Sequence, residues 1–178
     1  MLATHLGAAC GSLAWMLMEW KRYGKPSVLS IVTGMVGAGL GTITPASGFV
    51  GPLGAVIIGA AAGWVCFMAT QTKRILKIDD SLDVFPVHGI GGMLGTLMAV
   101  LGLLLDGMKT ADLASGKITL MSQFATQFIG VVATVAWCAC MSFVIFKIID
   151  AGIGLRVSEE EETQGLDIVL HEETGYNL

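Results

Sequence analysis

One histidine of this sequence stands inside an apolar stretch and is the side chain best suited to chemistry. His88 lies between Val87 and Gly89, at least one helical turn inside an apolar run that begins near residue 84. An ionisable group within such a run is costly in a membrane and usually faces a cavity or the interior of a helix bundle. A neutral imidazole has one hydrogen-bond donor and one acceptor, which suits the relay of a proton or the binding of a small polar solute. The structural alternative is a histidine that hydrogen-bonds a neighbouring helix.

Three aspartates precede His88 in the sequence. Asp79, Asp80 and Asp83 fall near the start of the same apolar run. Acidic side chains at that position complement the positive end of a helix dipole and cap free N–H groups. The same cluster would favour cations at the mouth of a pore. The sequence leaves both interpretations open.

The other polar residues of the apolar stretches do not indicate an enzyme. His5 lies near one end of the first stretch, where we expect an interfacial residue, and His171 lies in a polar tail. Hydroxyls such as those of Ser12, Thr33 and Thr42 usually bond the backbone of their own helix. The sequence has no Ser-His-Asp ordering, no phosphate-binding loop and no cofactor fingerprint. We therefore expect a protein that is not an enzyme and needs no cofactor, with no metal site made by this chain alone.

The composition explains why the setting of His88 should be a membrane. Of the 178 residues, 54% are hydrophobic and only 13% are charged, and the mean hydropathy is +0.75. An average soluble domain is about 25% charged. Half that charge is too little to cover a soluble surface of this size. The composition excludes a nucleic-acid binder, a disordered chain and a secreted disulfide scaffold, and it indicates a polytopic protein of the lipid bilayer.

Five apolar stretches are long enough to cross a membrane, which takes about 20 mainly apolar residues per helix. The fifth is longer than a bilayer needs, so that helix should tilt or protrude. We therefore predict an all-α transmembrane helix bundle over residues 1–152, followed by a tail over residues 153–178. The predicted spans are residues 2–20, 27–46, 53–72, 84–105 and 118–149.

Basic residues predict the orientation of these spans. Eight of the ten lysines and arginines fall after the first, third and fifth spans, which share one side of the membrane. Positive residues stay in the cytoplasm. The N-terminus of this chain should therefore lie outside the cell and the tail in the cytoplasm. The eight are Lys21, Arg22, Lys25, Lys73, Arg74, Lys77, Lys147 and Arg156, and the other side has Lys109 and Lys117.

Glycines at helical spacing indicate tight packing of the spans. Gly59 and Gly63 are four residues apart, as are Gly91 and Gly95. Small residues at this spacing let helix backbones approach closely in lipid. We expect a compact bundle. The second span is crowded with further glycines, namely Gly34, Gly37, Gly39 and Gly41.

The tail begins with a helix-capping pattern. Ser158 is followed by four glutamates, Glu159 to Glu162. This order predicts that Ser158 caps a short helix. An acidic run is usually solvated. Here it could also dock on the basic cytoplasmic loops.

Several motifs make the chain resemble the ammonium transporter family (Amt/Mep, and distantly Rh). The resemblance covers nearly all 178 residues, with the motifs in the same order. They are Glu19-Trp20 with Gly24-Lys25-Pro26-Ser27; Ile43-Thr44-Pro45-Ala46-Ser47-Gly48-Phe49; Gly54-Ala55-Val56-Ile57-Ile58-Gly59; Asp79-Asp80-Ser81-Leu82-Asp83-Val84-Phe85-Pro86-Val87-His88-Gly89; and Gly154-Leu155-Arg156-Val157 through Gly165-Leu166-Asp167.

The resemblance implies a fold and a pore. Members of the family have about eleven spanning helices, form trimers in which each subunit has its own pore, and conduct ammonia and a proton past two facing histidines. The five spans here resemble the last five. His88 resembles the second histidine of the pair, with Val84 and Phe85 lining the path. Thr33 and Asp83 match positions toward the cytoplasmic exit, where the acidic cluster also places Asp80.

The resemblance also implies what this chain lacks. The first pore histidine, the aromatic recruitment site and the aromatic gate lie on upstream helices of the family. We therefore expect ammonium/ammonia transport in the cell membrane as the C-terminal half of a transporter, inactive alone. It would be a fragment or one half of a split transporter completed by a separate N-terminal chain, and a homotrimer when complete. The alternative is a non-transporting module whose tail binds a partner such as a P-II-type signal protein.

Overall fold

The computed structural model describes residues 1–101, 116 and 119–173. Every regular element in that part of the chain is helical, so the predicted all-α fold is confirmed. The chain divides into two compact units, Met1–Val131 and Val132–Leu178. The elements are α1 (Leu2–Tyr23), α2 (Val28–Thr33), the π-helical segment π1 (Gly34–Gly41), α3 (Pro52–Leu76), the π-helical segment π2 (Phe85–Ile90), α4 (Gly91–Met98), α5 (Leu120–Gly152), α6 (Glu159–Gln164) and α7 (Leu166–His171).

The observed helices fall on the predicted spans, with two differences in kind. The second and fourth spans are wound partly as π-helix rather than continuously as α-helix. Residues 102–105 of the fourth predicted span, and residue 118 of the fifth, lie outside the described residues. By length and apolar composition, two described helices can cross a membrane, over Pro52–Lys73 and Leu120–Gly152. The layout of five spans stays a prediction.

Local sequence signals explain where the first and third helices begin and end. α1 stops at Gly24, which adopts a left-handed conformation (φ 81°) and donates its N–H to the Trp20 carbonyl. Glycine is the residue best suited to that position. α3 begins at Pro52, whose missing N–H is no loss in a first turn. It ends at Lys77, also left-handed at φ 53°.

Glycines bring α1, α3 and π1 into backbone contact. A side-chain carbon on Gly63 would stand 2.6 Å from the Gly11 carbonyl oxygen, and one on Gly11 would stand 2.7 Å from the Gly39 nitrogen. Carbon atoms do not approach so closely, so these positions accept only glycine without a shift of the helices. The close packing predicted from the glycine spacing is therefore present in this unit.

Two apolar clusters fill the space between these helices. The first is centred on Ile43 and Ile58, which are fully buried. The second surrounds Trp15, whose ring meets Phe67 edge-on at a centroid distance of 5.7 Å. Edge-to-face contact at this distance is the preferred geometry for aromatic pairs. Val87 belongs to the second cluster, so the segment that carries His88 is anchored in the core.

A buried carboxylate joins the end of α1 to the start of α2. Glu19 is 9% exposed and accepts hydrogen bonds from the Ser27 backbone N–H at 2.9 Å and the Ser30 hydroxyl at 2.7 Å. The Ser27 hydroxyl in turn accepts the Ser30 backbone N–H at 3.1 Å. Free N–H groups at a helix start need such partners. Glu19 thereby fixes the turn between the two helices.

The second unit holds the tail, which starts with the predicted cap. The Ser158 hydroxyl accepts the Glu161 backbone N–H at 3.3 Å, and the Glu161 carboxylate accepts the Ser158 backbone N–H at 2.9 Å. This reciprocal pair is a capping box, and it confirms Ser158 as the N-cap of α6. Hydrogen bonds from the Ser158 N–H and hydroxyl hold the pKa of Glu161 below its usual range.

Candidate functional site

Asp80 caps the helix that carries His88. Its two carboxylate oxygens each accept a backbone N–H at 2.9 Å, one from Val84 and one from Phe85. Partial burial raises the pKa of this carboxyl, but these two N–H groups and the nearby Lys73 outweigh it, and the pKa lies below its usual value. The capping interpretation of the sequence is therefore confirmed for Asp80.

Asp83 forms an ion pair with a lysine from α3. The Lys73 Nζ lies 2.5 Å from Asp83 Oδ1, and Lys73 also donates to the Asp80 carbonyl oxygen. The backbone of Asp83 adopts a left-handed conformation (φ 57°), which residues other than glycine, asparagine and aspartate rarely adopt. At the sequence level Lys73 was only one of the charges that set the orientation. The pair spans ten residues across an irregular turn, so no helical spacing announces it.

The segment π2 places alternate parts of its sequence inside and outside the unit. Pro86 and Val87 are buried, whereas Val84 and Phe85 are 50% and 57% exposed and His88 is exposed as well. Val87 fills a recess at Gly37, where any side-chain carbon would overlap its methyl groups. Short π-helical stretches are rare and often occur at functional sites. Val84, Phe85 and His88 are all exposed, and residues three and four apart in a helix share a face.

The His88 ring lies against π1. A side-chain carbon on Gly41 would stand 3.4 Å from His88 Nδ1, so the ring passes over the α-carbon of Gly41. Among the described residues, neither ring nitrogen of His88 has a hydrogen-bond partner. The alternative of a histidine that hydrogen-bonds a neighbouring helix therefore finds no support in that part of the chain.

Thr33 is not drawn to His88 by any contact within the described residues. Its hydroxyl donates to the Leu29 carbonyl oxygen at 2.9 Å, one turn back in α2. This is the bond to its own helix that the sequence suggested for hydroxyls of this kind. Gly41, which the sequence analysis assigned to packing, is the residue that meets His88 instead. The run of glycines in the second span was the signal, but it did not single out this position.

The described residues offer no cluster suited to a metal. Within residues 1–101, 116 and 119–173, no three His, Cys, Asp or Glu side chains converge. The acidic groups nearest π2 are already engaged, Asp80 by backbone N–H groups and Asp83 by Lys73. What the arrangement can do is present one neutral imidazole on an apolar surface. Such a group can accept or donate one proton, or hydrogen-bond a small polar molecule.

Comparisons with known proteins agree on one family. Residues 1–176 match the family model described as Ammonium Transporter Family. The ammonium transporter Amt1 of Archaeoglobus fulgidus is 41% identical over 177 residues, which are 98% of this chain and 44% of that protein. An ammonium transporter of Aquifex aeolicus is 42% identical over an alignment of 182 positions, which covers 100% of this chain and 41% of the relative.

Solved structures give the same result. The structure titled Sensor Amt Protein superposes with a TM-score of 0.79 at 29% identity, over 94% of this chain and 40% of that one. The N240A mutant of Candida albicans Mep2 superposes with a TM-score of 0.75 at 33% identity, over 95% of this chain and 38% of that one. This chain therefore spans less than half the length of the relatives that it matches.

Proposed function

This chain belongs to the ammonium transporter family, and from that premise we propose that it supplies the His88-bearing half of an ammonium/ammonia pore and is inactive alone. The relatives are transporters, which fits a protein that is not an enzyme. The family consists of integral membrane proteins, and two helices of this chain have the length and apolar character of a span. The substrate and the pore are proposals for this chain, because it covers less than half of each relative.

One observation supports the proposal most directly. His88 is exposed on an apolar face beside Val84 and Phe85, and no described residue hydrogen-bonds its ring. An unsatisfied imidazole facing lipid would be unfavourable. The same imidazole facing a second set of helices would line a narrow path. In that arrangement His88 would contact a solute that passes between the two halves of the pore.

We assign the roles by chemistry. His88 relays a proton and hydrogen-bonds ammonia along the path, because neutral imidazole both donates and accepts. Val84 and Phe85 supply apolar walls that exclude water. Thr33, Asp83 and Asp80 lie toward the cytoplasmic exit, and the contacts of the two aspartates with Lys73 and with the helix start suit them to shaping that exit rather than to holding a free cation.

The proposal includes a membrane arrangement. The chain crosses the plasma membrane five times, with its N-terminus outside and its tail in the cytoplasm, as the basic loops indicate. A separate N-terminal chain or the missing first half of a longer protein completes the pore. The complete assembly is a homotrimer, each subunit with its own path.

Uptake of methylammonium tests the transport function. The chain is expressed in cells that lack their own ammonium transporters, alone and together with a first-half chain taken from a relative such as the Archaeoglobus fulgidus transporter. We expect uptake only with the partner. Uptake by this chain alone would contradict the half-pore, and no uptake with any first half, from protein that reaches the membrane, would contradict transport.

One observation favours a second function, a non-transporting module that acts through its tail. α6 is a capped helix with four glutamates in its first turn, and three of them, Glu159, Glu160 and Glu162, are exposed. Such a surface suits a basic partner, of which a P-II-type signal protein is one kind. Pull-down of a purified P-II-type protein by the chain, and its loss when Glu159, Glu160 and Glu162 are changed to glutamine, would favour the module over the pore if uptake also fails.

A further inference from the structure

We propose that Lys73 positions His88. Its ε-ammonium holds the first turn of the His88-bearing helix in place through Asp83 and Asp80. The inference rests on the proposed role of His88 and goes beyond it by naming a residue, remote from the apolar path, on which the placement of the imidazole depends. Lys73 is a positioning residue here and does not itself meet the solute.

The first step is the contact between α3 and the turn before π2. Lys73 lies in the last turn of α3, with its side chain 17% exposed. Its nitrogen makes the 2.5 Å ion pair with Asp83, which is 28% exposed, and donates to the Asp80 carbonyl. Two partners hold one ammonium group between them. A charge in such a half-buried setting is screened less than one on an open surface.

The second step is the contact between this turn and the helix start. The Asp80 carboxylate accepts the N–H groups of Val84 and Phe85, and the Asp83 carbonyl oxygen accepts the Val87 N–H at 3.0 Å. The first turn of a helix has four N–H groups without helical partners. Here Asp80 satisfies two of them, those of Val84 and Phe85, and Pro86 has no N–H, while the Val87 N–H makes the first helical bond, to the Asp83 carbonyl. Lys73 contacts both aspartates, so it determines the residue at which the helix begins.

The third step carries the constraint to the imidazole. Val87 is locked in the recess at Gly37, and His88 is the next residue. If the residues of this helix shifted in register by one position, each side chain would turn by about 100° around the helix axis. Such a rotation would take Val87 out of the recess and the His88 ring away from Gly41. The Lys73 contacts therefore stabilise one rotational setting of π2.

The ion pair with Lys73 also stabilises the backbone conformation of Asp83. At φ 57°, the backbone of Asp83 is in the left-handed region, which aspartate adopts more often than most residues but still uncommonly. Such conformations persist when neighbouring contacts hold them. The ion pair with Lys73 is the side-chain contact of this kind, beside the backbone bonds of Asp83 to Asp80 at 3.4 Å and to Val87 at 3.0 Å. Without it, the turn is free to relax toward an ordinary conformation, and the helix start would move with it.

The test replaces Lys73 in the full chain and observes His88 directly. The chain is reconstituted in lipid nanodiscs with histidine labelled at its ring nitrogens, and the His88 signal is assigned by its absence in His88→Ala. We compare Lys73→Gln, which removes the charge, with Lys73→Arg, which keeps it. The matched control is Lys77→Gln, an exposed lysine four residues further along the same connection.

The expected result has two parts. Lys73→Gln moves the His88 ring signals, and it speeds amide exchange at Val84, Phe85 and Val87 by about fivefold or more, the loss of one charged hydrogen-bonded contact. Lys73→Arg restores the wild-type signals in large part, and Lys77→Gln leaves them unchanged. If Lys73→Gln fails to fold, Asp83→Asn, which keeps the shape of the side chain, must give the same His88 shifts.

Unchanged His88 signals in folded Lys73→Gln, or equal shifts in Lys77→Gln, would overturn the inference. Failure of Asp83→Asn to shift His88 would do so where Lys73→Gln is unfolded. The measurement needs no transport, so it is independent of the proposed function. If uptake fails with every first half while His88 still responds to Lys73, the pore is wrong and the positioning stands.

Discussion

The Nδ1 of His88 lies 3.4 Å from the point where a side-chain carbon of residue 41 would stand, and residue 41 is a glycine. This imidazole, which has no hydrogen-bond partner among the described residues, thus lies against a residue of π1 that has no side chain. A methyl group there would be in ordinary van der Waals contact with the ring, and a larger side chain would compete with the ring for space. The size of residue 41 therefore sets where the ring can lie.

Enlarging residue 41 should displace the ring in steps. Gly41→Ala places a methyl group in contact with the ring, so the His88 ring signals shift slightly and uptake by a completed assembly is retained. Gly41→Val has two more carbon atoms that must occupy the space of the ring, so we expect a large shift and uptake reduced by about tenfold or more, the effect of a misplaced group in a fitted site.

The control for this series is Gly92→Ala. No atom comes within 4 Å of a side-chain carbon at Gly92, which lies in α4 shortly after His88. It should leave both the ring signals and uptake unchanged. Equal effects of Gly41→Val and Gly92→Ala would contradict the account of residue 41.

Removal of the imidazole should change transport and leave the fold intact. His88→Ala takes away an exposed side chain with no described hydrogen bond, so we expect a change in the free energy of unfolding within about 0.5 kcal/mol. In a completed assembly, methylammonium uptake or ion selectivity should change. His5→Ala is the matched control and should behave as wild type. Unaltered flux and selectivity in His88→Ala would remove His88 from the path.

Truncation of Glu19 should loosen the connection between α1 and α2. Glu19→Ala leaves the Ser27 N–H and the Ser30 hydroxyl without their acceptor, and such loss destabilises by about 1–3 kcal/mol. Glu19→Gln keeps one acceptor oxygen and should be affected less. Thermal unfolding of the full chain in detergent measures the order. Glu160→Ala, an exposed acid of the tail, is the control, and an effect as large there would refute the assignment.

A methyl group at Gly63 should separate α3 from α1. It would stand 2.6 Å from the Gly11 carbonyl oxygen and 2.7 Å from the Ala14 side chain, neither of which can withdraw without moving a helix. Overpacking of this kind costs about 1–3 kcal/mol. Unfolding of Gly63→Ala beside Gly152→Ala, where no atom lies within 4 Å, isolates the clash from the general effect of alanine in a helix. Equal stability of the two variants would argue against the close approach.

The helix α6 should weaken in acid. The pKa of Glu161 is lowered in the folded tail, because the N–H and hydroxyl of Ser158 donate to the carboxylate. A group with a depressed folded pKa contributes stability above its unfolded value, here about 4.5, and that stability is lost as the pH falls through the folded pKa. Backbone chemical shifts of residues 159–164 between pH 7 and pH 3 follow the loss. In Ser158→Ala the helix should already be reduced at pH 7 and should change less; an identical titration would exclude the capping box as the cause.

Local features of the fold and site were predictable from the sequence. The capping residues Asp80 and Ser158 were visible because a cap lies within a few residues of the helix that it caps. The glycine spacing of α3 predicted close packing for a similar reason, since residues four apart share a helix face. His88 was found because a polar group in an apolar run is conspicuous in any register.

Contacts between distant or irregular segments were not predictable. Lys73 and Asp83 form an ion pair across an irregular turn, and no sequence pattern predicted the left-handed conformation of Asp83. Glu19 looked like a charge at a helix end, and its burial depends on where α2 begins. The π-helical segments of the second and fourth spans pack against each other, with Val87 in the recess at Gly37, and apolar periodicity is too coarse to separate a π-helix from an α-helix.

Because π1 is wound as a π-helix, the number of residues in this segment matters to the structure as well as their identity. Each turn of a π-helix closes its hydrogen bond one residue further along than an α-helix does. Deleting one residue between Gly34 and Gly41 would let the segment rewind as an ordinary α-helix, because a π-helical turn holds one residue more than an α-helical turn. Thr42 and Ile43, which are fully buried, would then keep their orientation, whereas the same deletion within an α-helix would turn the residues that follow by about 100°. This stretch should therefore tolerate the loss of one residue better than α1 or α3.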